Sequence, residues 1–113
     1  MPRRFEEVQS DLFRESGVNA TTDERKIARY ATTMVRQGSW GRFPFVRGTL
    51  HRITPSDVED YADAEFNGYD HELAWSRPLR PDDVGRVYVS INDGHNRAWA
   101  ARVARIPIRV RVF

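Results

Sequence analysis

The sequence predicts a small domain of the α+β class, with one mixed sheet and helices packed on it. Three observations carry that expectation. A chain of 113 residues has room for one core of modest size and little for a second. Two segments in the C-terminal third alternate apolar and polar residues with period two, as strands do. Before and between them lie stretches with helical periodicity and their own start and stop signals.

The elements follow in order. Phe5, Val8, Leu12 and Phe13 fall near one helical stripe, so a first helix is expected over 3–15, ended by Ser16-Gly17. Thr21-Thr22-Asp23-Glu24 reads as a capping box with Thr21 as cap. Ile27, Tyr30, Ala31, Met34 and Val35 continue at helical spacing until Gly38. A short strand is expected over 43–47, with Gly48 as its punctuation. Thr54 and Pro55 open a third helix, because proline's missing N–H costs nothing at the first helical position. Val58, Tyr61, Ala62 and Phe66 form its expected apolar face, and Asn67-Gly68 ends it. Residues 69–85 read as irregular, with Leu73-Ala74-Trp75 as a brief strand or packed loop. A strand over 86–91 places Val87, Val89 and Ile91 on one face. The turn Asn92-Asp93-Gly94 then leads into a helix over 96–105 and a final strand over 106–113.

Composition excludes several functions. Apolar residues make up 40% of the chain, which is enough for a core and argues against disorder. There are no cysteines, so disulfides, thiolate catalysis and cysteine-ligated zinc are out. No stretch approaches the ~18 uncharged apolar residues of a membrane span. The start Met1-Pro2-Arg3-Arg4-Phe5 lacks a signal-peptide core, so a cytoplasmic protein is expected.

The net charge of +2 hides a strong asymmetry. Residues 1–53 carry ten basic and six acidic groups, residues 54–83 two and nine, and residues 84–113 six and one. Lys26 is the only lysine. Arginine's planar fork suits phosphate, although a GC-rich genome also enriches it. The acids Asp57, Glu59, Asp60, Asp63 and Glu65 fall mainly on one face of the helix over 54–67, either as a solvated face or as a surface for a protein partner.

The most chemically suggestive segment is 89–98, Val-Ser-Ile-Asn-Asp-Gly-His-Asn-Arg-Ala. A buried strand meets a glycine turn that opens an alanine-rich helix. The first amides of a helix lack internal partners and carry partial positive charge, so anions, phosphate above all, are stabilised there. Gly94 lets backbone approach a ligand. Arg97, one turn in, can offer a bidentate donor pair. His95 and Asp93 can move protons or hold a metal, and Asp93 reads equally well as the helix cap. Ser90 and Asn96 add polar groups to a phosphate or nucleotide site.

The run Asp93-Gly94-His95-Asn96-Arg97-Ala98-Trp99-Ala100-Ala101, followed by Ile106-Pro107-Ile108-Arg109-Val110, resembles the signature of the ParB/sulfiredoxin-like superfamily, and within it the ParB-like nuclease domain. Upstream, a helix with Ile27, Tyr30, Met34 and Gly38, then Pro44 before a strand, is similar too. The likeness covers 24–47 and 86–113. It implies a single ParB-like domain over 1–113, with 1–20 as a helical extension and 48–85 as an insertion without a counterpart. Family members bind phosphate-bearing ligands at this turn and include nucleotide-binding partition proteins, nucleases, a free-serine kinase and sulfiredoxin. Sulfiredoxin chemistry is excluded here by the missing cysteine. Partition proteins resemble Gly-Glu-Arg-Arg at the turn and continue into a helix-turn-helix part, which has no counterpart in these residues.

The resemblance therefore implies a phosphate-ester or nucleotide-processing domain, nuclease-like first of all, with Mg²⁺ and a nucleotide as candidate cofactors and nucleotide or nucleic acid as partner. A non-catalytic nucleotide- or DNA-binding module, a kinase for a serine-like metabolite and a degenerate protein-interaction fold are the alternatives. By analogy, a phage-encoded protein or a toxin tip delivered into a target cell fits as well.

His95, Asp93 and His51 are the expected catalytic groups, with His51 facing His95 across a cleft. Arg102, Arg105, Arg109 and Arg111 are the candidate contacts to a nucleic-acid backbone. Asp70-His71-Glu72 looks like a metal cluster, but side chains of adjacent residues diverge, so a solvated loop is the simpler reading. Trp40, Trp75 and Trp99 are expected in packing, with Trp99 also placed to stack on one base.

Overall fold

The computed structural model describes residues 5–15, 22–68 and 74–112. Five strands form one mixed sheet: β1 (Phe5–Val8), β2 (Arg14–Glu15), β3 (Val46–Arg52), β4 (Val87–Asp93) and β5 (Ile108–Val112). Their order is β1-β5-β3-β4-β2. The β1/β5 and β3/β4 pairs are antiparallel, and the β3/β5 and β2/β4 pairs are parallel. Among the described residues there are three α-helices, α1 (Glu24–Gln37), α2 (Pro55–Asn67) and α3 (His95–Ala104), and a short 3-10 turn at Pro81–Asp83. The α+β class with a mixed sheet and packed helices is thus as expected. No described helix is long and apolar enough to cross a membrane.

Helices α1 and α3 lie against each other over one face of the sheet. Met34, Ala31, Ala98 and Ala101 meet Val46, Val89, Ile91, Ile108 and Val110 there. Alanines on α3 let it approach closely. The opposite face carries a smaller cluster of Leu12, Ile53, Trp75, Leu79 and Tyr88, with Val58 and Tyr61 of α2 packed on it. Alternation along β4 explains the split, since Val89 and Ile91 point one way and Tyr88 the other.

Several local expectations are corrected. The helix expected over 3–15 is absent from its described part, residues 5–15. Phe5–Val8 pairs with β5, and Arg14–Glu15 pairs with β4. Val8, Leu12 and Phe13 are buried, but as parts of strand and turn. Their spacing fits a helix, yet two free sheet edges offer hydrogen-bond partners and win over local periodicity. Residues 5–15 are therefore part of the sheet and not a helical extension.

Helix α1 is capped by Asp23, whose Oδ1 accepts from Arg25 and Lys26 amides at 2.9 and 3.3 Å. The expected cap Thr21 lies outside the described residues, as do Ser16-Gly17, Asp70-His71-Glu72 and Leu73. The strand expected over 43–47 instead starts at Val46 and runs through Gly48 to Arg52, so the segment 48–85 begins inside a strand. The cap of α2 is as read: Thr54 and Asp57 form a capping box with Pro55 in the first turn. Its apolar face differs, because Ala64 is buried while Phe66 is 91% exposed. Trp75 makes an isolated bridge to Arg14.

An ion-pair network fastens the segment before β4 to the β1–β2 connection. Both terminal nitrogens of Arg77 donate to the Asp83 carboxylate, at 2.8 and 2.9 Å, and the Arg80 amide adds a third bond at 2.8 Å. Arg86 reaches both carboxylate oxygens of Asp11, at 2.7 and 2.9 Å. The Arg77 hydrogen bonds pull the Asp83 carboxyl down to about 2, against burial that opposes them. Asp11 is lowered as well, first by its bond to Arg86.

A carboxylate held below its unfolded value stabilises the fold above pH 4, and that stabilisation is lost as pH falls toward 2. For Asp83 the loss is about 2 kcal/mol. Urea unfolding at pH 5 and pH 2.5 should show it, and Asp83→Asn should flatten much of the slope. An unchanged slope in that variant would contradict the assignment.

Candidate functional site

Strand β4 ends at Asp93, and Gly94 turns the chain into α3 in the left-handed region, at φ 99°. Gly94 rather than Asp93 holds the cap position, and no side chain of the described residues caps α3. The amides of its first turn are therefore open to an external acceptor. A Cβ on Gly94 would lie 2.8 Å from Arg97 Nη2 and 3.1 Å from Val46 Cγ2. Glycine thus serves both the positive φ and the seat of Arg97.

Arg97 folds back over the turn. Its Nη1 donates to the Pro44 carbonyl at 2.9 Å, and its Nη2 lies 3.6 Å from Asp93 Oδ2. The Asp93 carboxylate is 69% exposed. Asn96 Oδ1 accepts from the Asp23 amide at 2.8 Å, which fixes the start of α1 beside the start of α3. A cleft of about 390 Å³ results, lined by Lys26 and Tyr30 from α1, Phe43 and Pro44, and residues 93–97. Lys26 brings the chain's only ammonium side chain to this cleft.

His95 is the unusual member. It is 8% exposed, and its Nδ1 is enclosed without a hydrogen-bond partner among the described residues. An unpaired buried polar atom costs roughly 1–3 kcal/mol, which sets His95 apart from an ordinary packing residue. Glu15 Oε1 stands 4.0 Å from that nitrogen. The same oxygen accepts the indole N–H of Trp99. Pairing of Glu15 with Ile91 across the β2/β4 ladder puts the carboxylate there.

The expected site residues divide. Asp93, Gly94, His95, Asn96 and Arg97 come together in the cleft. His51 does not join them. It pairs with Tyr88, whereas the turn end of β3 is Arg47, opposite Asp93. Four residues of strand put His51 roughly 13 Å away. It bonds to Thr49 Oγ1 at 2.9 Å and lies beside the Tyr88 ring. Antiparallel pairing of β3 with β4 decides this, because it sends the later residues of β3 away from the turn.

Ser90 sits mid-strand between Thr49 and Arg14 and does not line the cleft. Arg102 and Arg105 occupy the far end of α3, with Arg102 lying 5.6 Å over the Trp99 ring. Arg109 pairs with Glu7 at 3.2 Å, and Arg111 sits across from Phe5 on β5. These four arginines are outside the cleft. Trp99 packs edge-on to Phe13 and is already occupied by Glu15 and Arg102.

A larger cavity of about 690 Å³ lies at the other end of α3, lined by Asp11, Arg77, Arg102 and Arg105 among others. Arg77 and Asp11 there are already engaged in the ion-pair network. Among the described residues, no group of three or more ligating side chains gathers as a metal site.

Glu15 and Lys26 are the functional candidates that sequence reasoning missed. Nothing local marks Glu15, which lies far before His95 in the chain, in a two-residue strand. Lys26 had one signal, as the single lysine in an arginine-rich chain. Comparison with protein-family models, curated proteins and solved structures finds no match to this chain.

Proposed function

We propose that the domain binds a phosphate ester or nucleotide at the 93–97 turn and processes it, acting as a ParB-like, nuclease-like hydrolase. The observation that carries this reading is His95, buried with an unpartnered ring nitrogen at the uncapped start of α3. Open amides and Lys26 supply the positive end for phosphate. His95 supplies the acid or base. Arg97 has a different part from the one its sequence position suggests. Its bond to Pro44 fastens the wall of the cleft to the turn. Asp93 is the exposed carboxylate beside the bound phosphate. One carboxylate together with substrate phosphate is a common way to hold Mg²⁺, so Asp93 would share that ion.

Thermal unfolding against nucleoside mono-, di- and triphosphates and inorganic phosphate, with and without Mg²⁺, tests binding. A ligand at ~100 times its Kd adds about 2.7 kcal/mol, which should raise Tm by roughly 10 °C in a domain of this size. Plasmid and single-stranded DNA and RNA cleavage tests hydrolysis. A chain that shifts with none of these ligands and cuts none of these substrates would overturn the proposal. A shift without cleavage would favour the binding-module alternative.

A further inference from the structure

We infer that Glu15 is a positioning residue that makes His95 a directed base. This rests on the hydrolytic reading above and assigns the origin of the base's strength. An imidazole needs a fixed tautomer to accept a proton at a chosen nitrogen. Glu15 Oε1 stands 4.0 Å from His95 Nδ1, and that nitrogen has no hydrogen-bond partner among the described residues. At that distance the contact is electrostatic rather than a hydrogen bond, and a carboxylate, which only accepts, favours the form with the proton on the facing Nδ1. Nε2 is then the nitrogen with the lone pair, on a residue that lines the cleft.

Trp99 completes the arrangement. Its indole N–H donates to the same oxygen of Glu15, which anchors the carboxylate beside the imidazole. The indole is itself wedged against Phe13, with ring centroids 5.0 Å apart. Glu15 is further fixed by its backbone, whose amide donates to the Ala74 carbonyl at 2.9 Å. Asp93, the neighbouring acid in sequence, has its oxygen 3.6 Å from Arg97 instead. The carboxylate that serves His95 thus comes from the sheet edge and not from the turn.

The step this supports is hydrolysis of a phosphodiester by water. Water gives a proton to His95 Nε2, and its oxygen bonds to phosphorus. The bond from phosphorus to the leaving alcohol oxygen breaks. His95 returns the proton to that oxygen, giving a phosphomonoester and an alcohol. Glu15 stabilises the doubly protonated ring between the two transfers and keeps its own charge throughout.

Two variants test the assignment. Glu15→Ala removes the acceptor. Glu15→Gln keeps an acceptor oxygen for both the indole and the imidazole, loses the charge, and controls for folding. Long-range ¹H–¹⁵N spectra of the full chain report the ring tautomer, with the His95 signals assigned by their loss in His95→Ala. The native chain and Glu15→Gln should hold the Nδ1–H form, and Glu15→Ala should shift toward Nε2–H. Should Glu15→Ala fail to fold, Trp99→Phe frees the carboxylate while keeping an aromatic ring against Phe13, and it should show a partial shift. A tautomer that neither Glu15→Ala nor Trp99→Phe changes would overturn the inference. With a cleavable substrate, kcat should fall roughly hundredfold in Glu15→Ala, with KM little changed. A native chain with the Nδ1–H form that cleaves no phosphodiester would overturn the hydrolytic reading and leave the positioning intact.

Discussion

Replacing Gly48 with alanine is expected to destabilise the domain by about 3 kcal/mol, a large share of the 5–15 kcal/mol that holds a typical domain together. The reason is local and steric. Gly48 pairs with Ile91 on one side and Val112 on the other, at a register shift in β3. A Cβ there would lie 2.3 Å from the Ser90 carbonyl oxygen and 2.9 Å from Val89 Cγ2. The carbonyl belongs to the backbone of a paired strand and cannot turn aside as a side-chain tip does.

Alanine ordinarily gains roughly 0.5–1 kcal/mol over glycine inside a strand. Here the overlap reverses that sign. Relief would require β3 and β4 to separate near the end that carries Asp93 and Gly94, so ligand affinity should fall with stability. Gly68→Ala is the control. It meets nothing within 4 Å and carries only the strain of its φ of 73°. Denaturant midpoints for the two variants check the prediction, and a Gly48→Ala chain at least as stable as Gly68→Ala would refute it.

Changing His95 to alanine should separate function from fold. On the proposed hydrolytic reading, cleavage should drop by ~10²–10⁴, the usual worth of a positioned acid–base group. Stability should move much less. Losing a buried ring leaves a cavity, which is destabilising. It also removes a nitrogen that is buried without a partner, which relieves a desolvation cost of roughly 1–3 kcal/mol. The two effects oppose, so the unfolding midpoint should stay close to that of the native chain. Cleavage rates and denaturant melts on one preparation make the comparison. A variant that unfolds readily and retains its specific activity would mark His95 as a packing residue.

The turn at 93–97 is legible in the sequence because everything that defines it is close in the chain. An alternating strand, a glycine and an alanine-rich run sit within about ten residues, and a helix begins where they meet. The caps of α2 and the left-handed end of α1 at Gly38 are legible for the same reason: a cap is a bond between near neighbours. Local pattern is accordingly enough to pick out Asp93, Gly94, His95, Asn96 and Arg97.

Other features depend on partners far along the chain. The stripe of Phe5, Val8, Leu12 and Phe13 looks helical until β5 and β4 supply open edges for those residues to join. Gly48 reads as a strand end until the Ser90 carbonyl is seen to occupy the space its side chain would need. His51 could be placed beside or away from the turn only once the β3/β4 register was known.

Chain pattern is thus sufficient to locate the glycine turn at the start of α3 and to name the residues that form it. Folding in three dimensions is what stands Glu15 behind His95, brings Lys26 into the same cleft and braces the cleft wall with Arg97. Caps and turns are set by bonds spanning a few residues, whereas sheet pairing joins segments that only the folded chain brings to one edge.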